Sequence, residues 1–170
     1  MTLPDEPVSY QGETSWFQQV DLNELGDLNA LIPIEVDLKM LGFDLLGDFV
    51  ASSLTKALNR AWINSVQHVQ CLVLVMSVDG SVKPIGVFLD SKFADGATVM
   101  TTATKALTNR VSGNSYRKVV TWTNLQNLYR DHMNYVDELA VKHGTLVSMP
   151  MTLLNVIKEM DLATLQYGQD

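Results

Sequence analysis

The side chains best suited to chemistry in this chain are three histidines and a single cysteine: His68, His132, His143 and Cys71. His68 and Cys71 are close in sequence. In an extended strand, however, an odd separation sends two side chains to opposite faces, which argues against a Cys/His nucleophilic pair. Cys71 opens the most apolar stretch, Cys71 to Val78, where a thiol behaves as a small buried hydrophobe. His68 borders a polar turn and is expected to face solvent. His132 falls on the apolar stripe of a helix, and a buried imidazole needs partners for both nitrogens. Two readings follow: a histidine bonded to backbone or to a threonine of a facing sheet, or a ligand contact at the mouth of a helix–sheet cleft. Asp131 points about 100° away from it and does not orient the ring. His143 lies in the last turn of the same helix, where its positive form interacts favourably with the helix dipole.

The carboxylates are less promising. Asp137 and Glu138 are adjacent on a helix and diverge. Asp44 and Asp48, four apart, share one side of either a helix or a strand, but no further oxygens converge there as a hard cation requires. The run Thr98-Val-Met-Thr-Thr-Ala-Thr104 alternates as a strand, with Thr98, Met100, Thr102 and Thr104 on one face and Val99, Thr101 and Ala103 on the other. Phosphate-loop, dinucleotide, zinc-hydrolase, nucleophile-elbow and EF-hand signatures are all absent from the sequence, so neither a cofactor nor a metal is expected.

These residues are carried by a period-two region followed by a period-3.6 region. Residues 69–78 and 83–93 read as two strands joined by the tight-turn dipeptide Asp79-Gly80. Ile85, Val87, Leu89 and Phe93 mark one face of the second strand. After Asp95-Gly96, residues 97–104 and 116–123 supply two more, implying an antiparallel meander of at least four strands. A helix is predicted over 124–143, with Thr123 as N-cap, Gly144 as the C′ residue and a stripe of Leu125, Leu128, His132, Val136 and Leu139. A second helix follows Pro150 over 152–160 and offers Leu153, Ile157 and Met160. A short helix opened by Pro33 and closed by Gly42 carries Ile34, Leu38 and Leu41. Between 48 and 62 the spacing of Val50, Leu54, Ala57, Leu58 and Ala61 favours a helix, although Phe43, Leu45, Gly47, Phe49 and Ala51 also alternate as a strand. The fold class is therefore α+β, with helices on at least one face of the sheet. Residues 33–170 form one domain, and 1–32 form an N-terminal arm that packs on the core or on a partner.

Nineteen acidic against twelve basic residues leave a net charge of −7 in the 170-residue chain. That balance lacks the electrostatic footprint of a nucleic-acid surface. The nearest basic stretch, Arg110 to Lys118, is sparse. No apolar run is long enough to cross a bilayer, and Met1-Thr-Leu-Pro-Asp-Glu does not read as a secretory signal. One cysteine and no zinc array fit a reducing, cytoplasmic setting.

The blocks Leu41-Gly-Phe-Asp-Leu-Leu-Gly-Asp-Phe49, Phe93-Ala-Asp-Gly96 with Thr101-Thr102, and Leu128-Tyr-Arg-Asp-His132 resemble a pattern in uncharacterised bacterial proteins that have no assigned activity. The resemblance implies strands over 43–64 and places His132 in a recurrent LYxxH element. The leading expectation is a non-enzymatic protein-binding or chaperone-like module, with an unidentified protein or a second copy as partner and with Trp16 and Phe17 as contact residues. The alternative is a small-molecule binder or motif-poor enzyme whose pocket, between sheet and helix, uses His132, Trp122 and Thr102.

Overall fold

A computed structural model describes residues 8–10, 13–15, 17–51, 58–104 and 107–167. Its centre is an eight-stranded sheet of order β3-β4-β5-β6-β7-β8-β10-β9, and the hairpin β1 (Val8–Tyr10) and β2 (Glu13–Ser15) stands beside it. The strands are β3 (Phe17–Val20), β4 (Asp44–Ala51), β5 (Leu58–Asn64), β6 (Val69–Val78), β7 (Ser81–Lys92), β8 (Thr98–Thr102), β9 (Arg110–Ser112) and β10 (Ser115–Val119). Three helices, α1 (Ile32–Met40), α2 (Leu125–His143) and α3 (Leu153–Tyr167), complete an α+β fold.

The expected hairpin is present: Asp79 and Gly80 both take positive φ, at 51° and 74°, as a tight two-residue turn between twisted strands requires. The meander holds from β3 to β8, and its last step differs. β10 runs parallel to β8, because β9 intervenes and turns the chain back first. The helix expected over 48–62 is replaced by β4 and β5, whose connecting residues 52–57 lie outside the described residues. The reason lies in β5, which pairs with strands on both sides and buries all seven residues, so it has no solvent face and no alternation to read. A bulge between Leu45 and Gly47 further breaks the period of β4. It also separates Asp44, opposite Ile63, from Asp48, opposite Arg60, so the two carboxylates do not share a face.

Both faces of the sheet carry a helix. On one, Leu38, Val50, Trp62, Cys71, Val73 and Leu89 pack with Leu125 and Leu128 of α2. On the other, Phe49, Ala61 and Leu72 meet Leu153, Val156 and Ile157 of α3. Each such Leu, Val or Ile stabilises the fold by about 1.5–3 kcal/mol through the water it sheds. The stretch expected as an arm supplies β3, and its Leu22 and Leu31 are core residues. Phe17 is buried against Phe49 with ring centroids 5.8 Å apart, whereas Trp16 lies outside the described residues.

Polar links pin the helices in place. The N-cap of α2 is Asn124, one residue later than expected: its Oδ1 accepts the Asn127 N–H at 2.8 Å. Arg60 of β5 lies 2.7 Å from Glu35 of α1 and 3.1 Å from Asp48 of β4, so a guanidinium joins helix to sheet inside the core. Burial nevertheless raises the Asp48 carboxyl above its usual range, against the pull of Arg60.

Candidate functional site

Among the described residues, two buried histidine networks and an apolar groove bear on the sites expected from the sequence. His132 sits one residue C-terminal to Asp131 on the buried stripe of α2, over β7 and β8, and has no exposed surface. Its Nε2 is 3.0 Å from Ser91 Oγ and its Nδ1 is 2.9 Å from Thr101 Oγ1. The Ser91 hydroxyl donates to the His68 carbonyl at 3.1 Å. Its proton is thereby used, so Ser91 Oγ accepts the Nε2–H and Nδ1 accepts the Thr101 hydroxyl proton. Ser, His and Thr are lined up like a nucleophile relay but with the polarity reversed, because the ring gives a proton to the serine and cannot take one. Burial pushes the imidazole down to about 3, which keeps it neutral.

The helix therefore bonds Thr101. Thr102, on the opposite face, is also fully buried and donates to the Val87 carbonyl at 2.8 Å. The proposed trio does not converge: His132 and Thr102 are on different faces of the sheet, and Trp122 lies on the loop before α2.

His143 is the residue whose surroundings sequence reasoning missed. Its Nδ1–H is held by the Asp95 carboxylate at 2.7 Å, its Nε2 accepts from the Tyr116 hydroxyl at 2.8 Å, and Lys142 donates to that hydroxyl at 3.1 Å. The partners stand 48 and 27 residues away, so no local pattern announces them. The hydrogen bond from His143 holds the Asp95 carboxyl below its ordinary range, helped by the Ala97 N–H. This chain of polar groups ties the end of α2 to the β7–β8 turn and to β10. Phe93, 5.5 Å from the imidazole centroid, closes it from the core side.

The groove is built differently. Ala30, Pro33, Ile34, Pro84, Ile85, Gly86, Val87, Ala103, Thr104 and Trp122 surround a hollow of about 390 Å³ between α1, β7 and the loop before α2. Ile85 reaches it because of a bulge: Gly86 pairs with Leu74 and Pro84 with Val75, so the register skips Ile85. Alternation places Ile85 with the core residues Val87 and Leu89; the bulge turns it outward and leaves it 47% exposed. Trp122 is 44% exposed at the opposite wall. Beside Pro33, the outer side of α1 carries Ile32, Val36 and Met40 at four-residue spacing, all exposed, with Met40 at 77%. This second stripe lies apart from the inward one of Ile34, Leu38 and Leu41 that the spacing predicts.

Among the described residues no group of three or more His, Cys, Asp or Glu side chains is placed to hold a metal ion, and no helix is long and apolar enough to cross a membrane. Comparison with protein-family models, with curated proteins and with solved structures finds no match to this chain.

Proposed function

We propose that this protein is a non-enzymatic protein-binding or chaperone-like module that grips an apolar, basic segment of its partner in the groove between α1, β7 and Trp122. The observation that carries the reading is that α1, whose Pro33 and Ile34 line the groove, also exposes Ile32, Val36 and Met40. A small molecule is held by a hollow of this size alone, whereas the extra stripe adds surface that only an extended partner covers. Charge selects the partner. Residues 21–37 contain Asp21, Glu24, Asp27 and Asp37 beside the Arg60-bound Glu35, and no lysine or arginine. A partner with apolar side chains on one face and lysines or arginines on the other meets both features. The enzymatic alternative loses its main residue, because His132 is sealed and points its proton at Ser91.

A synthetic lysine/leucine amphipathic helix is the direct probe. It is expected to bind at one to one, to perturb Trp122 fluorescence and to bind at least tenfold more weakly to Val36→Glu and Ile85→Asp. Equal binding by both variants, or none by the native chain, overturns the reading. A concentration-dependent dimer abolished by Val36→Glu would make the partner a second copy.

A further inference from the structure

On the face of the sheet that α3 shares, α3 lies over β3 and β4, leaving the far strands β8, β10 and β9 with a separate surface. The basic stretch that looks sparse in sequence is folded there into a hairpin. Arg110 of β9 pairs directly with Arg117 of β10, and Ser112 with Ser115, so two guanidiniums and two hydroxyls share one side. The next strand continues the rows: Arg117 pairs with Met100 and Ser115 with Thr98. Together Met100, Arg110, Ser112, Ser115 and Arg117 line a cleft of about 320 Å³.

Like charges directly opposite each other across two strands destabilise the pair unless an anion lies between them. In a chain with nineteen carboxylates, neither arginine forms an ion pair among the described residues. Glu138 lines the adjoining cleft with Arg110, Arg117 and Lys118 but forms no ion pair with any of them among the described residues. The donors that remain point to an oxyanion. Arg117 commits its Nε to the Thr108 carbonyl at 2.9 Å, which steadies the side chain and leaves both terminal NH2 groups available. Thr98 donates to Ser115 Oγ at 3.3 Å, leaving the Ser115 hydroxyl proton free to donate onward. Asn109 accepts the Val119 N–H at 2.7 Å and fixes the start of the hairpin. Asp90, opposite Met100, is the nearest carboxyl along the row, two strand spacings or roughly 10 Å from Arg117.

We infer that the β9–β10 hairpin is a binding site for the phosphate groups of a small phosphorylated molecule, clamped between Arg110 and Arg117 with Ser112 and Ser115 as further donors. Two guanidiniums are too few to track a nucleic-acid backbone but suffice for one phosphate or a pyrophosphate. The test uses inorganic phosphate and pyrophosphate, titrated at constant ionic strength and followed by two-dimensional NMR of the backbone amides. The expected result is saturable shifts at Ser112, Ser115 and Arg117, with pyrophosphate the tighter ligand. Arg117→Gln should weaken binding at least tenfold. Arg117→Lys should recover only part of the loss, because an ammonium lacks the fork. Both side chains reach solvent, so resonances around Phe93 and His143 report that each variant stays folded. Shifts that rise linearly without saturation, that are matched by sulfate and chloride, or that persist unchanged in Arg117→Gln overturn the site.

Discussion

Thr101 Oγ1 stands 2.9 Å from His132 Nδ1, joining β8 to α2 across 31 residues of chain and giving a buried imidazole its second partner. Of the two readings that the sequence leaves open for His132, the pairing with Thr101 fits the structural one, a ring bonded to a threonine of the facing sheet, and it makes the stability of the protein depend on pH.

His132→Ala removes a fully packed ring and leaves the Thr101 and Ser91 hydroxyls without their partner. The loss is expected to be about 3 kcal/mol, from the cavity and the unpaired hydroxyls together. Urea unfolding monitored by circular dichroism measures it. Binding of the amphipathic probe to the groove should be unchanged in the variant while it is folded; a variant as stable as the native chain contradicts the clamp.

Burial holds native His132 down at about 3, against an ordinary value of 6.5. Below 6.5 the unfolded chain takes up a proton that the folded chain refuses, so this contribution to stability is full above 6.5 and is lost as pH falls toward 3. The slope is at most about 1.4 kcal/mol per pH unit. Nitrogen-detected NMR of the ring at pH 5 should still show a neutral Nε2–H tautomer. An imidazolium signal there would refute the assignment.

Asp90 acts with the opposite sign. Desolvation at the middle of the sheet pushes its carboxyl up to about 7 from 3.8. The folded chain therefore holds a proton that the unfolded chain releases, and this stability is present below 3.8 and lost as pH rises through 7. Asp90→Asn should be more stable than the native chain at pH 8 and nearly equal to it at pH 4. Denaturation midpoints at the two values decide the matter, and a pH-independent difference would contradict it.

Arg60 carries the heaviest electrostatic load. Arg60→Met strands Asp48 and Glu35 beside each other without their cation, with an expected cost of about 3–5 kcal/mol. The triple replacement of all three by apolar residues of similar size should recover most of it. If the single variant costs under about 1 kcal/mol in thermal or urea unfolding, the ion triad is not what holds α1 to the sheet.

Gly26 and Gly47 both take positive φ, at 151° and 143°, yet they should respond differently to alanine. At Gly26 the added carbon would sit 2.6 Å from the Gly80 carbonyl oxygen, which belongs to the backbone and cannot turn aside. At Gly47 it would meet Leu153 Cδ2 at 2.8 Å, the end of a side chain that can rotate. Gly26→Ala is expected to cost about 2–4 kcal/mol and Gly47→Ala about 1–2 kcal/mol, from strain and overpacking. The reverse order of melting temperatures would refute this.

Features that depend on neighbours along the chain are legible in the amino-acid order. Period-two stretches became β6 and β7, the Asp79-Gly80 dipeptide became their turn, and the 3.6 period from Leu125 to Val136 became α2 with His132 on its inner face. Such signals are local: β7 and α2 each alternate between a buried and a more exposed side, and β6, buried on both faces over Val69–Val73, is announced by its β-branched and aliphatic residues and by the turn that ends it. The rest follows from contacts made only on folding. A strand buried on both faces has no alternation, so the spacing over 48–62 mimics a helix where β5 forms. Bulges change which way a side chain points without changing composition, and they moved Ile85 from core to groove and set Asp44 apart from Asp48. Partners brought together by folding leave no mark on the intervening sequence. Asp95 and Tyr116 on His143, Thr101 and Ser91 on His132, and Arg110 against Arg117 are all set by sheet order and register, which follow from how the hydrophobic faces close on one another.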